Sequence, residues 1–376
     1  MSQVRILSSR PFDCPEQALF LSLFNNERYC RQDALRLRFL LLTLGGGCTI
    51  GASMTNELLS LSEPWLQYAI RINLLDQNAG DLAALREEAL LDSKIQRSLK
   101  IVADYHSTLV TNHKNPDLPI HKLLFLLDLG FDTDVPEIES AVAQLMEHRD
   151  KHGVYQSLTN IPKHFGGTGE DGFGWCLCDA PLLLLALIEA GVSYEKHIRQ
   201  GVDYLVSLEK EQGFLCSVSE EFGTFRGPGR KDDCCPYATL VMLRLLSRID
   251  GYRNSETAIR AIDALLDLWE RSRERHPYMF YTGTDFRKLK APAIWYDIVG
   301  VADCLSVFEY ARADARFGEM VEIIRSKQDE DGLFTPQSVY QRSKGWDFGQ
   351  KKTVSPYLSF LCLRILKRCE DRLPQA

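Results

Sequence analysis

The sequence predicts an all-α protein whose inner and outer helices alternate and close into an α/α toroid of up to six pairs. Three observations carry this. Apolar segments ending at Gly130-Phe131, Gly191-Val192 and Gly251-Tyr252 recur at a spacing of about sixty residues, and the helices after them align at Val142, Val202, Ile262 and Val321 with the same period. The turns at Gly153, Gly213 and Gly332 keep that register. Finally, Leu182 to Leu187 is apolar throughout, as a helix wrapped by others requires, whereas Val202, Leu205, Val206 and Leu208 share their helix with Asp203, Glu209 and Lys210.

Residues 1–53 fall outside the repeat, hold three of the eleven cysteines and precede Met54, so they read as an appendage to a toroid domain over 54–376. Helices are then expected over roughly 64–77, 82–92 and 94–111, where the period is poorly kept. Four inner and outer pairs follow, with inner helices near 119–130, 180–190, 237–250 and 294–310, and a last inner helix spans roughly 356–369. Pro136-Glu137 and Ser255-Glu256 are helix starts; Gly130 and Gly191 are stops.

The 376 residues are 45% hydrophobic and 25% charged, enough to bury a core. A net charge of −7, from 44 basic and 51 acidic residues, argues against a nucleic-acid partner. The most apolar window, Leu35 to Ala52, contains Arg36, Arg38 and a glycine run, so no transmembrane segment is expected. The cysteines sit singly in apolar runs or in tight pairs, Cys176 with Cys178 and Cys234 with Cys235. That spacing points to reduced thiols and a cytoplasmic protein.

The tail Lys327-Gln-Asp-Glu-Asp-Gly-Leu-Phe334, with degenerate copies at Glu211-Gln-Gly-Phe214 and Lys151-His-Gly-Val154, resembles the prenyltransferase and squalene-cyclase repeat. The resemblance spans about Pro64 to Cys369 and implies the toroid of terpenoid cyclases and protein prenyltransferase β subunits, whose central cavity takes up isoprenoid chains. Lanthionine cyclases share that toroid and are also similar at Trp175-Cys176, but their Cys-His-Gly is absent.

In such a barrel the segments before the inner helices are expected at the cavity mouth. Class II cyclases of this family carry an Asp-x-Asp-Asp acid there, because alkene protonation needs a neutral, strong carboxylic acid. Lys231-Asp-Asp-Cys-Cys235 keeps two of the three acids, making Asp232 and Asp233 the catalytic candidates. Asp132-Thr-Asp134 lies at the other end of its helix. Zinc prenyltransferases use Asp-x-Cys at the same junction with a later His; Asp233-Cys-Cys235 matches the first part, no matching His follows, and Asp297 or the pair Cys178 and Asp179 would have to complete the site. The expected zinc ligands are therefore Cys178, Asp179, Asp233 and Cys235. The other reading of these cysteines is small apolar filling at helix starts.

Trp175, Tyr237, Trp295, Tyr296 and Tyr357 fall at the same junctions and would line a lipophilic pocket. Arg342, Lys344 and Lys351 give the last mouth loop a positive charge suited to a prenyl diphosphate-like head. The glycine-rich stretch Gly166 to Gly174 reads as a lid, and His121 as a buried or cavity-facing residue. The expected function is an enzyme, a transferase or isomerase, that binds a lipophilic isoprenoid-like substrate and performs prenyl transfer or cyclisation. The alternative is a non-catalytic lipid- or peptide-binding toroid.

Overall fold

The computed structural model describes residues 52–225, 233–277 and 279–370, and expectations for residues 1–51 lie outside them. The chain is mostly helical. Its main helices are α1 (Ala52–Leu61), α2 (Pro64–Asn73), α3 (Ala83–Leu91), α4 (Ser93–Ala103), α5 (Pro119–Asp128), α6 (Pro136–Leu145), α7 (Ala180–Glu189), α8 (Arg199–Ser207), α9 (Pro236–Leu246), α10 (Glu256–Arg271), α11 (Ile298–Leu305), α12 (Ala315–Arg325) and α13 (Pro356–Glu370). No helix among the described residues is long and apolar enough to cross a membrane.

The apolar segments are the wrapped ones. Every residue of α7 from Ala180 to Leu187 is buried, as is every residue of α13 from Pro356 to Leu366. In α10, by contrast, the buried residues Thr257, Ala258, Ala261, Ile262, Leu265, Leu266 and Trp269 form one stripe. Proline opens α2, α5, α9 and α13, where its missing N–H leaves no helical bond unmade. Gly130 and Gly191 end α5 and α7 at φ 95° and 78°, a left-handed conformation that glycine enters without strain.

Among the inner helices, α5 packs on α7, α7 on α9, α9 on α11, α11 on α13, and α13 returns to α2. The Asn73 amide of α2 donates to Asp128 O at the end of α5 (3.1 Å), and Tyr68 stacks on Phe131 at 5.7 Å. The outer helices α4 and α6, and α10 and α12, pack beside one another.

The repeat tail has a local cause. Asp329 accepts from Asp331 N and Leu333 N (3.1 and 2.8 Å), and Asp150 accepts from His152 N and Val154 N (2.9 and 2.8 Å), so one carboxylate folds each glycine turn. Several helices are shorter than expected. The fourth ends at Ala103 rather than near 111, and α11 occupies only Ile298–Leu305 of the expected 294–310. Two small antiparallel sheets also interrupt the all-α expectation: β1 (Ser157–Asn160) with β2 (Asp171–Gly174), and β3 (Glu209–Lys210) with β4 (Gly213–Phe214). The first takes in the end of the glycine-rich stretch, for which the sequence predicts a lid. Gly174 has no space for a side chain there, since a Cβ would lie 2.6 Å from Phe222.

Candidate functional site

The inner helices and the 292–294 segment line a cavity of about 150 Å³ that opens to the surface. Leu124 and Phe125 of α5, Leu185 of α7 and Leu361 of α13 give it apolar walls, while His121, Ile294 and Tyr357 line it near the starts of the inner helices. Its exposed lining residues, Glu189 and Arg248, stand at the opposite ends, just at or beyond the C-termini of α7 and α9. The mouth was expected at the N-terminal junctions.

Charges emerge from the apolar inner helices around this space. Arg364 of α13 is buried, donates to both carboxylate oxygens of Asp128 (2.8 and 3.0 Å) and lies 3.1 Å from Asp303. Arg368 adds a second contact to Asp303 at 3.0 Å. Burial pushes the Asp303 carboxyl up, but the guanidinium groups of Arg364 and Arg368 overcome it and hold it at about 2. Arg248 pairs with Glu189 at 2.5 Å. Arg244 instead gives Nη2 to the carbonyl of Ala293 (2.6 Å). His121 is kept neutral by burial, which lowers it to about 4, and its Nε2 bonds the carbonyl of His113 at 2.9 Å.

Buried acids stand at the other end of the helices. Asp297 caps α11 by accepting from Gly300 N (2.9 Å) through Oδ1. Its Oδ2 is buried with no hydrogen-bond partner among the described residues, and the hydroxyls of Tyr296 and Tyr340 share that condition. Burial raises Asp297 to about 6, outweighing the Gly300 amide, Lys290 and Arg244, which lower it. A Cβ at Gly300 would lie 2.8 Å from Trp295 O, 3.3 Å from Arg244 Nη2 and 3.5 Å from Asp297 Oδ1, so the position where these groups converge has no room for a side chain. Asp179, at the start of α7, is raised by burial to about 7 and accepts from Cys176 N (2.9 Å). Asp347 accepts from Ser355 Oγ (2.5 Å) and Tyr357 N (2.9 Å).

No family model matches the chain, and no curated protein matches it. Among solved structures it is similar to the type II terpene cyclase MstE from Scytonema. A substituted form in complex with merosterolic acid A is 13% identical, with a TM-score of 0.39 and coverage of 82% of this chain and 88% of that one. The apo enzyme is 14% identical, with a TM-score of 0.37 and coverage of 82% and 87%.

The expected site residues distribute as follows. Asp232 lies outside the described residues, and Asp233 pairs with Arg275 at 2.8 Å. Tyr357 lines the cavity, with its ring 5.5 Å from Phe125 and 5.8 Å from Trp65. Trp175 is buried away from the cavity lining and donates Nε1 to Asp150 (2.9 Å). Tyr237 donates to the carbonyl of Ile294 (2.9 Å) and packs with its ring tilted 4.2 Å from that of Trp295, while Tyr296 packs on Phe280 and Phe286. These four brace the 290–297 segment and the Asp150 turn. Arg342, Lys344 and Lys351 are exposed, and Arg342 lies 3.6 Å from Asp117.

Of the expected metal set, Cys178 and Cys235 come close enough to interact, whereas Asp179 and Asp233 have other partners. Cys178 lies with Cys176 and His113, the three ligand atoms mutually within 4.8 Å, and Cys235 is hydrogen-bonded to Cys216. The carboxylates of Asp179 and Asp233 have the Cys176 amide and Arg275 as partners. Sequence reasoning missed His113, Cys216 and the charged cavity lining. The available signal was an isolated charge inside an apolar inner helix, as at Asp128, Arg244, Asp303 and Arg364.

Proposed function

We propose that the protein is an α/α toroid enzyme that cyclises an isoprenoid-like substrate by protonation, with Asp297 as the acid. The observation that carries this reading is the buried Asp297 carboxyl, raised by burial to about 6 and with Oδ2 unpartnered among the described residues, three residues beyond Ile294 of the cavity lining. A neutral carboxylic acid in an apolar site delivers its proton to a double bond, and surrounding aromatic faces stabilise the resulting cation. Helix-to-helix contacts running from α5 through α13 to α2 support the toroid.

The cavity volume limits the substrate. About 150 Å³ admits a group of roughly benzene size, which suits one terminal isoprene unit rather than a long chain wholly enclosed. The rest of the substrate, with an anionic head, would extend toward Arg248 and Arg368. The same small volume favours the second reading, a non-catalytic toroid that binds a short apolar group. Incubation with polyprenyl-phenol and polyprenyl-diphosphate panels separates the two. The first reading expects an isomeric product of unchanged mass that disappears with Asp297→Asn while Tm stays at or above that of the wild type. Tight binding without conversion supports the second.

A further inference from the structure

Three successive junctions bring a histidine and four cysteines to one place away from the cavity lining. His113 comes from the loop before α5, Cys176 and Cys178 from the segment before α7, and Cys216 and Cys235 from the stretch leading into α9. The ligand atoms of His113, Cys176 and Cys178 lie within 4.8 Å of one another. Cys176 and Cys178 are hydrogen-bonded together, Cys216 and Cys235 form a second such pair, and the two pairs are close enough to interact electrostatically. No disulfide joins the eight cysteines among the described residues.

The backbone already fastens these segments together. Leu177 N donates to Ser217 O (2.8 Å), Ser219 N to Trp175 O (2.9 Å) and Cys235 N to Phe214 O (2.7 Å), while the His121 ring holds His113 O. Cys176 and Val218 form an isolated antiparallel bridge. The donors are therefore positioned by hydrogen bonds that no ion has to supply, which lowers the ordering cost of binding one.

We propose that His113, Cys176 and Cys178 bind a zinc ion, with the Cys216–Cys235 pair supplying the fourth donor. Imidazole and thiolate are the donor types zinc takes, and a tetrahedral site with bonds of about 2.0 to 2.3 Å places ligand atoms roughly 3.3 to 3.8 Å apart. The His113, Cys176 and Cys178 atoms, mutually within 4.8 Å, need only a small contraction, and the Cys216–Cys235 pair has to approach them. On binding, each ligating thiol releases its proton to solvent and no electron is transferred. The ion ties the loops before α5, α7 and α9 into one unit.

The test is metal analysis of the full chain purified without a histidine tag or chelator. Close to one zinc per chain is expected, lost in the Cys176→Ser/Cys178→Ser double variant and kept in Cys369→Ser. Because the double variant can misfold, wild-type protein stripped of metal supplies a second measurement. It should take up Co²⁺ with thiolate-to-cobalt charge-transfer absorption, and added Zn²⁺ should raise its Tm. Absence of zinc together with no cobalt band overturns the proposal, as does a Cys176–Cys178 disulfide in the purified protein. None of these residues lines the cavity, so metal content is measured without reference to turnover.

Discussion

Asp297 caps α11, and the proposed function gives it a second role that ordinarily opposes the first, since an N-capping carboxylate is favoured by ionisation whereas a proton donor must stay neutral. Burial decides the balance by raising the group from 3.8 to about 6. Turnover is therefore expected to be full below about pH 6 and to fall roughly tenfold per unit above it, as a kcat/KM profile would record. Stability moves in the same direction. Between pH 3.8 and about 6 the folded protein keeps a proton that the unfolded chain has released, so this group lowers stability as pH rises through that window, and Asp297→Asn should flatten the slope. Arg364 makes the opposite case, because its carboxylates are ionised partners. Arg364→Met removes the buried partner of the half-buried Asp128 and Asp303, leaves Asp303 only Arg368, and should cost about 3 kcal/mol in urea denaturation. The importance of these residues is hard to see in sequence. A repeat register directs attention to the junctions, whereas Asp303 and Arg364 lie inside helices and matter through the partners that folding brings to them.

At the scale of elements, the inner helices were legible because uninterrupted apolar runs such as Leu182 to Leu187 require burial on every side. Their ends were less so. The expected 294–310 helix loses its first turn because Asp297 caps the chain at Ile298, with the Ala293 carbonyl turned to Arg244. Strands β1 and β2 escaped detection because four-residue pairings at Ser157–Asn160 and Asp171–Gly174 depend on a partner across the glycine-rich loop, which no local periodicity reveals. Packing also reverses a helix rule at Gly201 in α8. Glycine to alanine normally stabilises a helix interior by roughly 1 kcal/mol. Here the added Cβ would lie 2.4 Å from Gly153 O, so Gly201→Ala should lower stability by about 1 to 3 kcal/mol, measured by thermal and urea unfolding.

For the whole molecule, the period of about sixty residues predicts the succession of layers, but a solenoid could share that period. What distinguishes the two is contact between distant ends of the chain. Arg364 reaches Asp128 from α13, and Lys367 donates to Leu74 O at 2.9 Å, across separations of 236 and 293 residues. Removing residues 356–376 should therefore abolish cooperative unfolding rather than shorten a tolerant array, and circular dichroism melts would show it. The reading of the site rests on one proton transfer from Asp297 to a substrate double bond. The most direct measurement is turnover in D₂O, followed by mass spectrometry of the product. A protonation-initiated cyclisation gains one solvent deuteron and loses one proton, so the product should be one mass unit heavier than its isomer formed in H₂O. A cyclised product without deuterium, or one formed equally by Asp297→Asn, contradicts the account.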